Sequence, residues 1–241
     1  MTGSLVVVGT GIGAAHLTTE ARAEIAGADE VFFLVSDPLS ELTVRELAPR
    51  ARSLGGCYEN DRSRRAAYER MVEMILEPVR AGRRVCAAFY GHPGVFVLPS
   101  REALSRARNA GIEARMLPGI SALDCLFADL GVDPAAGGCQ IYEAGDVLRR
   151  ELIIEPRAGL VLLQAGVVGE ETHSPAGSAP ALPALSDALR QWYPDSHELV
   201  LYEASPYPGV SPIVERIRLG DLAAASLSER STVYVPELDP Q

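Results

Sequence analysis

The segment 87-AAFYGHPGVFV-97 begins as a buried-strand pattern and stops abruptly in a polar, glycine-rich loop. Its apolar start favours a strand inside a parallel sheet, and the two glycines and one proline that follow are turn residues. Open α/β sheets bind ligands at the loops that follow the carboxyl ends of their strands. Turn chemistry does not explain Tyr90 and His92, so this loop is the first candidate binding site.

Outward from this loop, short β-branched runs alternate with longer amphipathic runs. The predicted strands are Leu5–Gly9, Val31–Val35, Arg84–Tyr90, Ile112–Leu117, Leu160–Gln164, Leu199–Glu203, Val214–Leu219 (half-exposed) and Thr232–Val235. The predicted helices are His16–Ala26, Arg64–Val79, Ser100–Ala110 and Ala184–Trp192, and Ser174–Pro183 is predicted to be a surface loop. The alternation predicts an α/β protein with a largely parallel sheet covered on both faces, in two domains, residues 1–117 and 118–241.

Composition excludes several classes of function. The chain has 241 residues, 47% of them hydrophobic, and a net charge of -10, which argues against nucleic acid as a partner. No apolar run approaches the roughly 20 residues that span a bilayer, and the N-terminus has no signal-peptide pattern. We therefore expect a cytoplasmic protein. The four cysteines and four histidines are scattered without ligand spacing, so we expect reduced thiols and no metal site.

A dinucleotide site is one alternative. The segment Gly9-Thr-Gly-Ile-Gly-Ala14 satisfies GxGxxA after the first strand, and Asp37 stands near the place of a ribose-binding acid. No dehydrogenase Ser-Tyr-Lys set follows. The glycines are equally consistent with a tight strand-to-helix turn, or with another nucleotide-like ligand.

A second loop, Pro118-Gly-Ile-Ser-Ala122, follows the next predicted strand. Taken alone, Ser121 is an N-cap of the helix that follows. Together with the first loop, at the seam between the two predicted halves, it indicates a ligand site.

Polar and aromatic residues also concentrate between Tyr58 and Tyr68. Asp61 or Ser63 can cap a helix, on which Arg64 and Tyr68 share one face because they are four residues apart. Tyr58 precedes that helix and is free to fold back over it. Spacing alone favours a structural interpretation, in which Tyr68 begins an apolar stripe and the arginines 62, 64 and 65 form a solvated face.

The motifs "GTGIG", "YGHPGVF", "MLPGISALDCLFADLG" and "STVYVP" carry a family resemblance that runs from about Leu5 to Pro236. The chain resembles the tetrapyrrole-methylase superfamily of class III methyltransferases that use S-adenosyl-L-methionine (SAM). Within that superfamily it is most similar to the borosin branch, the peptide backbone α-N-methyltransferases. Gly91-His92-Pro93 replaces the Gly-Asp-Pro that is commoner in tetrapyrrole methylases, which counts against a porphyrinoid substrate.

The resemblance implies two αβα domains with SAM folded into the cleft between them and S-adenosyl-L-homocysteine as the product. The implied cofactor contacts are Tyr90, His92, Val95, Phe96, Ser121, Ala122 and Gln164, together with backbone near Ala204 and Val233.

The resemblance also implies that Tyr58, Arg64 and Tyr68 form the catalytic group. A peptide nitrogen is a poor nucleophile because its lone pair is delocalised into the carbonyl. We expect one tyrosine to accept the amide proton, a nearby arginine to favour the anionic phenol, and hydrogen bonds to hold the imidate oxygen. The family often has a further tyrosine where this chain has Gly55, so the division of roles stays open.

The expected substrate is a precursor peptide supplied in trans, because no core peptide follows Val235-Pro236 before Gln241. The resemblance further implies a homodimer, and with two precursor chains a heterotetramer. Two other functions stay open: methylation of a tetrapyrrole or other small molecule, and a non-catalytic SAM-binding module.

Overall fold

The computed structural model describes residues 3–60, 63–170 and 179–238. The chain divides into two compact units. Unit 1 takes the residues up to Cys125 together with Ser205–Val210, and unit 2 takes Leu126–Ala204 together with the residues from Ser211 onward. In these described ranges, no helix has the length and apolar character needed to cross a membrane.

Unit 1 is built on a five-stranded sheet whose strands all run parallel. The strands are β1 (Ser4–Gly9), β2 (Glu30–Leu34), β3 (Arg52–Ser53), β4 (Arg84–Phe89) and β5 (Glu113–Met116), in the order β3-β2-β4-β1-β5. The helices are α1 (Thr19–Gly27), α2 (Pro38–Leu47), α3 (Gly56–Asn60), α4 (Arg64–Arg80) and α5 (Leu98–Asn109), and α6 (Ala122–Leu130) begins in this unit.

Alternate residues of the strands enter two separate cores. Leu5 and Val7 pack with Met71 and Ile75 of α4, whereas Val8 packs with Ile25 of α1 on the opposite face. A strand buried on both faces reads as a continuous apolar run, which is the pattern of β1 and β4. The prediction of a parallel sheet with helices on both faces is confirmed for this unit.

Local caps begin three of these helices. Thr18, Asp37 and Ser63 each accept a hydrogen bond from the backbone N–H three residues further on, at the start of α1, α2 and α4. Of the two caps predicted for α4, Ser63 is the one observed, and Asp61 lies outside the described residues. The predicted helix from His16 is wrong in its first turn, because Thr18 caps a helix that begins only at Thr19 and a 3-10 turn covers Ala14–His16.

Unit 2 contains a second five-stranded sheet, and this one is mixed. Its strands are β6 (Cys139–Glu143), β7 (Gly159–Leu163), β8 (Glu198–Glu203), β9 (Ile213–Arg218) and β10 (Thr232–Val235), in the order β6-β7-β10-β8-β9. Its helices are α7 (Pro134–Gly137), α8 (Ala144–Arg149) and α9 (Leu182–Leu189). Only β6 and β7 run parallel, while β10 is antiparallel to both β7 and β8.

Several predictions for unit 2 need correction. The chain returns from β8 to β9 through residues 204–212, which form no helix, so β9 pairs antiparallel with β8. β9 is exposed along almost its whole length instead of half-buried. Of the predicted loop Ser174–Pro183, residues 174–178 lie outside the described ranges, and Leu182 already begins α9. The domain boundary predicted at residue 118 stays a prediction.

Candidate active site

Three loops meet at the carboxyl edge of the sheet of unit 1, and glycines make the contact possible. A Cβ added to Gly9 would lie 2.4 Å from the Gly91 carbonyl oxygen and 2.8 Å from the Gly119 Cα. Gly11 and Gly91 exchange backbone hydrogen bonds of 3.2 and 2.9 Å. The loops after β1, β4 and β5 therefore touch through bare backbone, which is possible only without side chains at these positions.

The loop after β4 is held in shape by its own residues. Gly91 has a φ of +69°. The backbone N–H of Gly94 donates to Nδ1 of His92 at 2.9 Å. A neutral imidazole that accepts at Nδ1 carries its proton on Nε2, so the second ring nitrogen is a donor. Ser100 Oγ donates to the carbonyl oxygens of Pro93 and Val97, which ties the loop to α5. These hydrogen bonds hold the turn in one conformation.

Phe96 combines an unusual backbone with an exposed ring. Its φ is +53°, a left-handed conformation that a bulky residue rarely adopts, and 40% of its surface is exposed. Such strain is kept where surrounding structure enforces it, and it concentrates at ligand sites. Beside it, Tyr90 and Val95 are half-buried. This loop thus offers an exposed aromatic residue five positions after Gly91.

Ser121 caps α6. Its Oγ donates to Asp124 Oδ2 at 2.8 Å, its N–H donates to the same oxygen at 2.6 Å, and Asp124 N–H donates back to Ser121 Oγ at 3.3 Å. The side chain is buried, and Ala122 beside it is half-buried. Ser121 therefore serves the helix, and its place in the loop after β5 puts its backbone at the glycine cradle.

The aromatic residues of the predicted catalytic group lie together. The rings of Tyr58 in α3 and Tyr68 in α4 pack edge to face, with 6.1 Å between centroids and 75° between planes. Both are half-buried against the core cluster of unit 1, and Arg64 is the first residue of α4, one turn before Tyr68. At Gly55 an added Cβ would lie 3.3 Å from Ser53 Oγ, a tight contact that a small shift of the Ser53 side chain would have to relieve.

The predicted cofactor residues of unit 2 share one end of its sheet. Gln164 follows β7 in a left-handed conformation with a φ of +58°, and Ala204 follows β8. Because β10 runs antiparallel between these strands, its first residues lie at the same end. Val233 itself is fully buried, so its side chain belongs to the core and only neighbouring backbone can reach a ligand.

A buried polar cluster that the sequence did not predict lies at this end of the sheet. Glu203, the last residue of β8, is 8% exposed; its carboxylate contacts Arg230 and accepts a hydrogen bond from Ser228. The partners are 25 and 27 residues away in sequence, so no local pattern marks them.

Features of the dinucleotide alternative have structural roles. Asp37 Oδ1 accepts the Ser40 N–H at 2.9 Å as the cap of α2, and Asp37 is 5% exposed. A Cβ on Gly13 would lie 2.3 Å from the Pro206 carbonyl oxygen. Gly9 and Gly13 of this segment thus serve close approaches of backbone.

The described residues contain no group of three or more His, Cys, Asp or Glu that could hold a metal ion. All four cysteines are free. Burial raises the pKa of the Cys86 thiol to about 12, so this residue stays protonated at neutral pH.

A family model described as Tetrapyrrole (Corrin/Porphyrin) Methylases matches residues 4–215. Over 240 residues the chain is 41% identical to the methyltransferase/ribosomally synthesized cyclic peptide dendrothelin A precursor of Dendrothele bispora. It is 40% identical over 240 residues to the corresponding omphalotin A precursor of Omphalotus olearius. Each match covers 97% of this chain and 58% of the relative, so the chain spans less than two thirds of these proteins.

Two solved structures share the fold. One is the uroporphyrin-III-C-methyltransferase of Thermus thermophilus, with a TM-score of 0.67 and 24% identity, covering 98% of this chain and 93% of that one. The other is a cobalt precorrin-4 methyltransferase, with a TM-score of 0.70 and 16% identity, covering 98% and 96%. At these sequence identities the similarity establishes only that the fold is shared.

Proposed function

Because the chain belongs to the tetrapyrrole (corrin/porphyrin) methylase family, we propose that it is a SAM-dependent methyltransferase that methylates backbone amide nitrogens of a precursor peptide. The names of its relatives at about 40% identity join a methyltransferase to a cyclic-peptide precursor. The observation that carries the proposal is the packing of Tyr58 against Tyr68 one helical turn from Arg64.

The residues of unit 1 fit a sulfonium donor. The backbone cradle of Gly9, Gly91 and Gly119 has no side chains and so allows close approach of a ligand. Phe96, in the same loop as Gly91, is exposed and offers an aromatic face of the kind that attracts a cation. For unit 2 we propose Gln164, Ala204 and the backbone before Val233 as donor contacts. S-adenosyl-L-methionine would supply a methyl group on a positive sulfur and leave as S-adenosyl-L-homocysteine.

In the proposed reaction one of the two tyrosines, as its phenolate, accepts the proton of the peptide N–H. The Arg64 guanidinium holds the negative charge that develops on the peptide oxygen, in the manner of an oxyanion hole. The proton of the peptide nitrogen would pass to the phenol oxygen and the nitrogen would take the methyl group, with the electrons of the former sulfur–carbon bond leaving on S-adenosyl-L-homocysteine. Holding the nitrogen in line with the methyl group supplies much of the remaining rate gain.

We further propose that the precursor is a separate chain, delivered in trans, and that the enzyme works as a homodimer that binds two precursor chains. Size-exclusion chromatography with light scattering, with and without the precursor, tests this part. A monomer that methylates the peptide would contradict the dimer and leave the reaction intact.

The decisive experiment incubates the protein with SAM and a candidate precursor peptide, and measures the peptide by mass spectrometry. We expect successive additions of one methyl group, with fragmentation placing each on a backbone nitrogen. A parallel incubation with a porphyrinoid tests the alternative favoured by the family description. Methylation of the porphyrinoid and not of the peptide would overturn the proposal.

A further inference from the structure

The buried carboxylate of Glu203, the last residue of β8, binds two residues at one end of the sheet of unit 2. Both oxygens of Glu203 are engaged: Oε1 contacts the Arg230 guanidinium at 2.5 Å, and Oε2 accepts from Ser228 Oγ. With only 8% of its surface exposed, Glu203 is a charged group held almost wholly out of water. Removing one partner of such a pair leaves a buried charge without compensation.

The partners of Glu203 belong to one tight turn, residues 228–231. Ser228 N–H donates to Ser231 Oγ at 2.8 Å, Ser231 N–H donates to the Ser228 carbonyl at 3.0 Å, and Arg230 N–H donates to Ser228 Oγ at 3.1 Å. Glu203 therefore holds the turn at Ser228 and at Arg230. Ser228 is also the residue through which the internal hydrogen bonds of the turn run. The turn leads directly into β10 at Thr232.

This turn is seated against the loop that follows β7. A Cβ added to Gly166 would lie 1.6 Å from the Ser228 carbonyl oxygen, so the two loops are in direct backbone contact. Gly166 lies in the 3-10 turn Ala165–Val167, whose N-cap is the left-handed Gln164. A displacement of Ser228 would thus be transmitted to Gln164 without any intervening flexible side chain.

From these contacts we infer that Glu203 is a positioning residue for the methyl donor, which it serves by fixing the 228–231 turn against the loop of Gln164. The inference rests on the proposed function, in which Gln164, Ala204 and the start of β10 contact the donor. The Glu203 carboxylate contacts Arg230 and Ser228, so its proposed role acts through the turn that carries them. The carboxylate instead sets the spacing between loops on which donor affinity depends.

The test compares Glu203→Gln and Ser228→Ala with a matched control, Tyr202→Phe. The control removes a partly buried hydrogen bond of 2.6 Å, which the Tyr202 hydroxyl donates to Asp129, in the same unit; Tyr202 lies on the same strand as Glu203. Binding of SAM and of S-adenosyl-L-homocysteine is measured by calorimetry, thermal unfolding by Tm, and turnover as separate KM values for SAM and for a precursor peptide.

We expect both test variants to weaken SAM binding and to raise the KM for SAM by about 10-fold or more, with kcat at saturating SAM and the KM for peptide nearly unchanged. Tyr202→Phe should lower the Tm and leave SAM affinity unchanged.

If Glu203→Gln does not fold, Ser228→Ala decides the question, because it keeps the carboxylate–arginine pair. Unchanged SAM affinity in the folded variants, with only a lower Tm, would overturn the inference. Failure of the unaltered protein to bind SAM would contradict the proposed function itself.

Discussion

The rings of Tyr58 and Tyr68 meet edge to face, 6.1 Å apart, although they belong to two different helices. The contact shows that α3 and α4 bring these two aromatic residues to one place. Residues 61 and 62, which connect the helices, lie outside the described ranges. An edge-to-face pair contributes about 0.5–1.5 kcal/mol beyond the area it buries. The pair therefore both stabilises the helix junction and sets the distance between two phenol groups.

Removing one hydroxyl from this pair should separate chemistry from packing. Tyr58→Phe and Tyr68→Phe keep both rings, so we expect the Tm to change little. Loss of the proton acceptor should lower kcat for peptide methylation by about 100-fold or more in one of the two variants. Mass spectrometry of the peptide under single-turnover conditions measures the rate. Full activity in both variants would exclude a tyrosine base.

Arg64 should be irreplaceable by another cation. A guanidinium offers several N–H donors in a planar fork, whereas the lysine ammonium is a compact point charge. We expect Arg64→Ala to abolish methylation and Arg64→Lys to recover only a small part of it, while SAM affinity stays at the value of the unaltered protein. Arg65→Ala is the matched control, since Arg65 is the exposed neighbour on the same helix. Equal losses in the two alanine variants would contradict a specific role for Arg64.

The glycine cradle gives a prediction about stability. Gly9→Ala places a methyl group 2.4 Å from the Gly91 carbonyl, so it should lower the free energy of unfolding by about 1–3 kcal/mol and abolish SAM binding. Gly27→Ala is the control, because an added Cβ there meets nothing within 4 Å. Chemical denaturation and calorimetry measure the two effects. Tolerance of both substitutions would show that the three loops are not in contact.

Replacing Phe96 by glycine should lower SAM affinity while relieving strain in the backbone. Glycine adopts positive φ without strain, so Phe96→Gly should keep the free energy of unfolding within about 1 kcal/mol of the unaltered protein even though a ring is lost. SAM affinity should fall, because the exposed aromatic face is gone. A large loss of stability with unchanged SAM affinity would mean that the ring serves packing.

Thiol chemistry offers a check that does not depend on activity. The thiolate is the reactive form, and burial raises the pKa of Cys86 to about 12, so raising the pH from 7 to 10 should leave this residue almost wholly protonated. We expect iodoacetamide to modify the half-buried Cys125 well before Cys86, and to modify both in denaturant. Peptide mapping by mass spectrometry measures the order. Early loss of the Cys86 thiol from the folded protein would contradict its burial.

Local sequence patterns predicted the positions of helices and strands better than they predicted which strands pair. Thr232–Val235 is the predicted strand with the same bounds, because three β-branched residues and a tyrosine leave little alternative. The antiparallel pairing of β10 with β7 was not predicted, since strand–helix alternation indicates parallel neighbours and nothing in four residues encodes a partner some 70 residues earlier.

The candidate site shows the same division. The four-residue spacing of Arg64 and Tyr68 puts them on one helix face, and Ser121 was identified as a cap from its place before a helix. The contact of Glu203 with Arg230 and Ser228 had no such signal, because it depends on the register of β8 against β10. The sequence predicts contacts within one helix or strand, but it does not predict contacts that depend on the pairing of distant strands.

The central place of β10 determines when the second sheet can be completed. Residues 232–235 are translated after the other four strands of that sheet, yet they join the β6–β7 pair to the β8–β9 pair. Until they emerge from the ribosome, β7 and β8 each present an unsatisfied edge, which is a template for misassembly. The sheet of unit 2 should therefore stay open to wrong pairing until the end of synthesis, whereas all five strands of unit 1 are available earlier.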